Sequence, residues 1–366
     1  MSIISLARPE IVAMKPYSSA RKEAPGRGIL LNANESPWPL LADAGPDDTG
    51  SASGLNRYPD PQPRELIASL ASLYGVHEEQ VLVTRGSDEG IDLLTRVFCR
   101  AGQDAIAQCP PTFGMYRIAA QTQDAEIVSV PRLASNDFRI DRDRLLETLG
   151  NDTRIKLLFL TSPNNPTGDT IDQSPLLDLL QTTAGKAIVV IDEAYAEFSQ
   201  QASASELLED CENLVVLRTL SKAWGAAGLR CGTVLASEEI ISLLRRIIAP
   251  YPLASPVISL ALSMLTERIS DQQQQMLKEV QENKKLLLSL LADRPFITNL
   301  WPGEANFVLL KVRDADNLLS FCAGKDVILR GYPGEPLLEG CIRISVGSKD
   351  ELSALKSALD AWEKLL

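Results

Sequence analysis

The alternation of short apolar runs with amphipathic helical segments between residues 63 and 236 is the feature that most constrains the fold. The apolar runs predict strands at 81–84, 104–109, 126–130, 155–160, 186–191, 213–217 and 231–236. Runs that are apolar throughout are typical of strands buried on both faces of a parallel sheet. Their spacing leaves room for a helix between successive strands. The sequence therefore predicts an α/β fold with a mostly parallel, doubly wound sheet and right-handed crossovers.

The sequence also indicates three parts of the chain. Residues 1–28 carry proline and arginine without sustained periodicity, which predicts an N-terminal arm. Residues 29–255 contain the alternating strands and form the predicted large domain. A shift in composition near residue 255 opens a long helical stretch with a possible break. Short strands alternate with helices after it, so 256–366 is predicted to be a smaller C-terminal α/β domain whose sheet is at least partly antiparallel.

Composition excludes several classes of function. Apolar residues make up 45% of the 366 residues and charged residues 23%, as in ordinary globular enzymes. The formal net charge of −12 argues against nucleic acid or an anionic membrane as a partner. No apolar stretch approaches the roughly 20 residues of a membrane span, and no signal peptide opens the chain. We therefore expect a cytoplasmic protein with no membrane partner.

Cysteine and histidine usage narrows the chemistry further. The six cysteines contain no CxxC pair and lie mostly beside apolar runs, which predicts reduced, buried thiols and neither disulfides nor a metal site. The single histidine, His77, lies in a hydrophilic turn. A histidine-centred triad is thereby excluded. Proton transfer must then depend on a lysine, a carboxylate or a tyrosine.

Polar groups follow four of the predicted strands at their carboxyl ends. They occupy 86–88, 161–168, 192–195 and 219–222. In a parallel sheet these ends share one edge, where open α/β sheets bind their ligands. An amide, a carboxylate, a phenol, an amine and potential phosphate donors are therefore predicted to meet there.

Lys222 is the most informative of these groups. A lysine that emerges from a buried strand can be partly desolvated, and desolvation lowers the pKa of an amine as imine formation requires. Ser221 and Arg230 could hold a phosphate beside it. The alternatives are that Lys222 is a surface lysine, that Arg230 is an ion-pair partner and that Asp88 is only a helix cap. The chemistry that uses the whole set is catalysis with pyridoxal phosphate, in which a lysine forms the imine and a carboxylate keeps the pyridine nitrogen protonated.

Several motifs carry a resemblance to a known family. They are LNANE (31–35), RYPDP (57–61), SPNNPTG (162–168), IDEAY (191–195), TLSKAWGAAGLRCG (219–232) and RISVG (343–347). With them the chain resembles the fold-type I pyridoxal phosphate aminotransferases over essentially its full length. PYSSARK (16–22) and CPPTFGMY (109–116) make it most similar to the histidinol-phosphate aminotransferases.

The resemblance implies a role for each matching residue around the cofactor. Lys222 would be the Schiff-base lysine, Asp192 the partner of the pyridine nitrogen, and Tyr195 with Asn165 the contacts of the ring O3′. The phosphate site would consist of Ser87, Asp88, Ser221 and Arg230. Phe113 stands where the family usually has a tyrosine over the ring, so stacking is kept and a hydroxyl is lost.

The resemblance also implies partners and a reaction. Tyr58 would reach the phosphate of a neighbouring subunit's cofactor, which implies a homodimer. Arg343, Arg330, Tyr17 and Asn34 would bind substrate. The reaction would convert histidinol phosphate and 2-oxoglutarate to imidazole-acetol phosphate and glutamate, in histidine biosynthesis.

Three other functions compete with this interpretation. Two are enzymes of the same fold, an aromatic or broad-specificity aminotransferase and a phosphothreonine decarboxylase. The third is an aminotransferase-like effector-binding module without enzymatic activity. The intact pair of Lys222 and Asp192 and the absence of a basic helix-turn-helix extension argue against the third.

Overall fold

The computed structural model describes residues 2–16, 31–38 and 55–366. Helices and strands are numbered here in chain order within those residues. The helices are α1 Pro9–Ala13, α2 Arg64–Tyr74, α3 Ser87–Phe98, α4 Met115–Thr122, α5 Arg142–Asn151, α6 Gln173–Thr183, α7 Glu238–Leu244, α8 Ser255–Met264, α9 Glu267–Leu291, α10 Ala315–Ala323 and α11 Lys349–Glu363. The strands are β1 Val81–Thr84, β2 Ala105–Gln108, β3 Glu126–Ser129, β4 Ile155–Thr161, β5 Ile188–Asp192, β6 Leu214–Thr219, β7 Gly232–Ala236, β8 Ile297–Trp301, β9 Phe307–Val312, β10 Arg330–Gly331 and β11 Cys341–Ser345.

The first seven strands form one sheet in the order β1-β7-β6-β5-β4-β2-β3. Strands β2 to β6 pair in parallel, whereas β7 runs antiparallel to both of its neighbours, β6 and β1. The connection between β6 and β7 contains no α-helix to carry the chain across the sheet, and the chain returns in the opposite direction. The predicted mostly parallel sheet is confirmed, with β7 as its antiparallel member.

Both faces of this sheet are buried. Along β1, Val81 and Val83 pack into one apolar cluster while Leu82 packs into the other, and β4 divides in the same way. This alternation follows from the two-residue period of a strand, which sends successive side chains to opposite faces. Helices cover each face, so the doubly wound arrangement is confirmed as well.

The described start of the chain, which belongs to the predicted N-terminal arm, contains two short helical segments. Within residues 2–16, α1 and the short helical turn Ile3–Leu6 send Ile3 and Ile11 into one of the two large clusters. Burial of apolar surface explains why these residues are ordered without strong periodicity.

The second sheet has the order β10-β11-β9-β8 and is antiparallel at every pairing. Its core includes Leu287 and Leu291 from α9 together with residues of α10 and α11. The possible break in the long helical stretch occurs at Leu265 and Thr266, between α8 and α9. Among the described residues, no helix is long and apolar enough to cross a membrane.

Gly168, in the turn after β4 of the large sheet, is in backbone contact with Gly303, in the connection between β8 and β9 of the small sheet. A Cβ at Gly168 would lie 2.7 Å from the Cα of Gly303, and a Cβ at Gly303 would lie 2.5 Å from the Cα of Gly168. Both residues have positive φ, 78° and 54°. The amide of Glu304 donates to the carbonyl of Gly168 at 2.7 Å. The turn 162–168 is thus held directly against the β8–β9 connection.

Side chains reinforce this contact. The Glu304 carboxylate accepts from the Gln200 amide at 3.1 Å and from the Ser199 hydroxyl. From α9, the Lys284 amine donates to the carbonyls of Gly303 and Ala305 at 2.8 and 2.6 Å. Burial lowers the pKa of Lys284 to about 8, and the charge of Glu304 opposes that shift.

Candidate active site

A cavity lies where β1, β4, β5 and β6 end. Its lining consists of Ser87, Asp88, Phe113, Thr161, Asn165, Asp192, Ala194, Tyr195, Thr219, Ser221, Lys222 and Arg230. The sequence predicts individual roles for nine of these residues, and the other three, Thr161, Ala194 and Thr219, lie in the segments predicted to meet here. The structure brings them together because the parallel strands deliver their carboxyl ends to one edge of the sheet.

Lys222 follows β6 within the turn that leads to β7. Much of its side chain is exposed, but its amine lies in the cavity, 5.4 Å from the centre of the Tyr195 ring. Burial lowers the pKa of the amine, and the charge of Arg343 lowers it further, while Asp192 and Asp88 raise it. A lowered amine pKa is the property that a nucleophilic lysine needs.

Asp192 is the last residue of β5 and is almost fully buried, at 2% exposure. One carboxylate oxygen accepts from the Tyr116 hydroxyl at 2.8 Å, and the other accepts from the Ala194 amide at 3.1 Å. Burial raises the pKa of Asp192 to about 6, and the carboxylates of Asp88 and Glu193 add to that increase. The two hydrogen bonds act in the opposite direction because they stabilise the ionised form. Asp192 is therefore a buried carboxylate whose orientation is fixed by two hydrogen bonds and which can pair with a cationic group.

Another group of cavity residues provides hydrogen-bond donors for an anion. Arg230, with φ of 55°, lies 3.4 Å from the Ser221 hydroxyl and 3.3 Å from the Asp88 carboxylate. Ser87 begins the twelve-residue helix α3, whose free amides and dipole favour negative charge. A Cβ at Gly86 would lie 2.5 Å from Nη2 of Arg230, so a larger residue would force the guanidinium to move, and the φ of 77° at this position also favours glycine. This donor set fits a phosphate group.

Asp88 does not act as a helix cap. Gly86 holds the N-cap position of α3, and Asp88 lies in the first turn, where it lines the cavity and pairs with Arg230. Of the two roles considered from the sequence, the structure supports a place in the site.

Arg343 of β11 lies at the edge of the cavity and contacts its lining from the small sheet. Its Nη1 donates to Oδ1 of Asn165 at 2.5 Å, and its guanidinium lies 5.1 Å from the centre of the Phe307 ring. Nε of Arg343 is buried and has no hydrogen-bond partner in the described part of the chain. Asn165 and the Tyr195 hydroxyl are 3.5 Å apart. Burial raises the pKa of Tyr195 to about 12, and Arg343 opposes that shift.

Arg330 lies beside this group and outside the cavity. It pairs with Arg343 in the register of β10 and β11, is exposed, and has its guanidinium 5.8 Å from the centre of the Tyr332 ring. Because the two arginines are directly paired on neighbouring strands, they place two positive charges on the same face of the small sheet.

The remaining predicted residues are not in the cavity of the single chain. Tyr58 is 48% exposed and stacks on Tyr251, with ring centres 4.5 Å apart. Asn34 is exposed and has φ of 55°. Tyr17 lies outside the described residues.

The sequence predicts no individual role for three residues that support the site. Tyr116 and Thr161 support Asp192, and Thr219 accepts from the Ser221 amide at 3.1 Å and so shapes the turn before Lys222. Tyr116 is part of CPPTFGMY, a motif used only for the family resemblance. The position of Tyr116, just after Phe113 and at the start of a helix, is the sequence signal that could have indicated a place near the site.

Comparisons with known proteins agree with this geometry. The model of the family "Aminotransferase class I and II" matches residues 27–359. The chain belongs to this family. Among class I and II aminotransferases, the histidinol-phosphate aminotransferase of Cronobacter sakazakii is 41% identical over 98% of this chain and 97% of its own length. Histidinol-phosphate aminotransferase 1 of Haemophilus influenzae is 42% identical over 98% of this chain and 99% of its own.

A solved aminotransferase structure has the same fold. The histidinol-phosphate aminotransferase from Sinorhizobium meliloti, in complex with pyridoxal-5′-phosphate, superposes with a TM-score of 0.79 at 22% identity, covering 98% of each chain. The resemblance and the fold class predicted from the sequence are confirmed.

Proposed function

We propose that this aminotransferase uses pyridoxal phosphate to convert histidinol phosphate and 2-oxoglutarate to imidazole-acetol phosphate and glutamate, in histidine biosynthesis. Relatives of that name at 41% and 42% identity over nearly the whole chain support the reaction. The observation that carries the proposal is one cavity that holds the Lys222 amine and the buried Asp192 carboxylate, with the Arg343 guanidinium at its edge.

The cavity residues have complementary tasks in this proposal. Pyridoxal phosphate, when bound, accepts electrons from the bonds of the substrate's reacting carbon. Lys222 would hold the cofactor covalently and, once displaced by the incoming amine, move a proton from that carbon. Asp192 would keep the ring nitrogen protonated, and Asn165 with Tyr195 would bind O3′. The phosphate would be bound by Ser87, Asp88, Ser221 and Arg230, through side chains or backbone, with Phe113 against the ring.

The substrates differ in the anionic group that they present. Histidinol phosphate carries a phosphate and no α-carboxylate, whereas glutamate carries two carboxylates. The planar fork of arginine binds both anions with two parallel hydrogen bonds. Arg343 would bind either substrate, while exposed Arg330 on the next strand would add charge mainly toward the larger phosphate group.

We also propose a homodimer located in the cytoplasm. In this arrangement Tyr58, exposed beside Tyr251, completes the phosphate site of the neighbouring subunit. Tyr17 and Asn34 would add substrate contacts. The large domain would span 29–255 and the small domain 256–366, in keeping with the two separate sheets.

A competition assay tests the proposed substrate. The enzyme loaded with cofactor is given histidinol phosphate, phenylalanine and phosphothreonine together with 2-oxoglutarate, and glutamate, the keto products and carbon dioxide are measured. Histidinol phosphate is expected to have the highest kcat/KM. Preference for phenylalanine would indicate an aromatic aminotransferase, and release of carbon dioxide from phosphothreonine would indicate a decarboxylase.

A further inference from the structure

Tyr116 contacts the Asp192 carboxylate, which lines the cavity, but Tyr116 is not itself part of the cavity lining. It is fully buried, and in the described part of the chain it is the one side chain that donates a hydrogen bond to Asp192. We infer that Tyr116 is a positioning residue whose hydroxyl keeps Asp192 ionised and aimed at the ring nitrogen of the cofactor. This inference rests on the proposed function.

The direction of the hydrogen bonds follows from their partners. An ionised carboxylate only accepts, so the Tyr116 hydroxyl donates to Asp192 at 2.8 Å. Tyr116 then accepts from the Thr161 hydroxyl at 2.7 Å, and Thr161 is the Cα partner of Asp192 on the adjacent strand β4. Thr161 also lies 3.3 Å from the Thr112 hydroxyl, which gives its own proton to Asn164, so the single Thr161 proton is placed in the shorter of its two contacts, the one to Tyr116. The chain of donors thus ends on the carboxylate of Asp192.

Aromatic contacts hold the Tyr116 ring in place. It stacks on Phe159 with centres 4.8 Å apart and planes within 8°, and it meets Phe113 edge to face at 5.7 Å. Phe113 lines the cavity. A Tyr116→Phe substitution keeps these contacts and removes one oxygen, so it isolates the hydrogen bond.

The surroundings of Asp192 make that hydrogen bond important. Burial disfavours the charged form, and the carboxylates of Asp88 and Glu193 disfavour it further. The other titratable groups facing it are Tyr116, Tyr195 and Lys222. Loss of the Tyr116 hydroxyl removes a donor to the anion and raises the pKa of Asp192 further, so more of this carboxyl is neutral at pH 7.

Cofactor binding by the cofactor-free protein tests this inference without turnover. Dissociation constants are measured for pyridoxal phosphate and for its 1-deaza analogue, in which carbon replaces the ring nitrogen. Wild type is expected to prefer pyridoxal phosphate, and Tyr116→Phe is expected to reduce that preference about 10-fold, as for a hydrogen bond to a charged group. Tyr74→Phe is the matched control. It removes another buried hydroxyl, one that lies beside Arg218 and not beside Asp192, and should leave the preference unchanged.

A double-mutant cycle separates positioning from general structural damage. In an Asp192→Asn background, Tyr116→Phe is expected to cause no further change in preference. An equal loss of affinity for both ligands in Tyr116→Phe, or an additional loss of preference in the double variant, would overturn the inference. Thermal unfolding of each cofactor-free variant verifies that it is folded.

The outcomes also separate this inference from the proposed function. Wild type that prefers pyridoxal phosphate, together with a Tyr116→Phe variant of unchanged preference, would overturn the inference alone. Wild type that binds neither ligand would overturn the proposed function and this inference with it.

Discussion

Asp192 is expected to destabilise the cofactor-free chain at neutral pH, and Asp192→Asn is expected to recover that stability. The pKa of the buried carboxyl is raised from 3.8 to about 6. Between these values the folded chain holds a proton that the unfolded chain has released. The stability contributed by this group is therefore present below about pH 4 and is lost as the pH rises through about 6. A shift of about two units, at 1.36 kcal/mol per unit, corresponds to about 3 kcal/mol.

The structure accommodates the amide of asparagine. Its Oδ1 can accept from the Ala194 amide, while its Nδ2 can donate to the Tyr116 hydroxyl, which then donates to Thr161. Each buried polar group keeps a partner, so the substitution removes the charge without leaving an unsatisfied atom. The gain should therefore approach the full 3 kcal/mol, as an order of magnitude, near pH 8.

Urea unfolding of the cofactor-free proteins at several pH values between about 4 and 8 measures this effect. The difference in unfolding free energy between Asp192→Asn and wild type should be close to zero near pH 4 and should grow through pH 6. Asp210→Asn, at an exposed position, is the control and should show no such growth. A gain that is independent of pH, or a loss of stability at pH 8, would refute the electrostatic argument.

Three further predictions concern the active protein. Lys222→Ala should abolish both turnover and the borohydride-stable attachment of pyridoxal phosphate, and peptide mapping that finds the label on another lysine would contradict this role. Arg343→Ala should lower kcat/KM about 10²-fold for both histidinol phosphate and glutamate, whereas Arg330→Ala should lower it about 10-fold for histidinol phosphate and much less for glutamate, because Arg330 is exposed and would bind mainly the phosphate. Half-reactions measured separately test this difference, and equal losses in Arg330→Ala would remove the reason to prefer histidinol phosphate. Mixing Lys222→Ala with Tyr58→Phe subunits should restore activity in hybrid dimers, and no restoration after proven subunit exchange would place Tyr58 in its own subunit's site.

The part of the site that the sequence predicted is the part that follows apolar strands. Asp192 and Lys222 come at or just after strands buried on both faces, so the sheet topology alone brings them to one edge. The break at Thr266 and the antiparallel pairing of the small sheet were also within reach of local patterns. These predictions depend on short-range periodicity, which the sequence displays directly.

Other features depend on contacts between distant parts of the chain. The contact between Arg343 and Asn165 joins residues 178 positions apart, and no local pattern encodes its distance. Tyr116 lies on α4, which packs against β2 and β3, and its side chain reaches across to Phe159 on β4 and Asp192 on β5. Tertiary packing decides each of these, and a single sequence does not reveal it.

The backbone contact between Gly168 and Gly303 limits how this protein can be recombined with its relatives. Because no side chain fits at either position, a small sheet transplanted from another aminotransferase would seat on this large sheet only if it supplied glycine at the position of Gly303. A chimera that carried alanine there would displace the turn bearing Asn165, and a change made far from the cavity would appear as a loss of amino transfer. In such chimeras, the points at which the two parent sequences are joined should therefore lie outside the turn that contains Gly168 and the connection that contains Gly303.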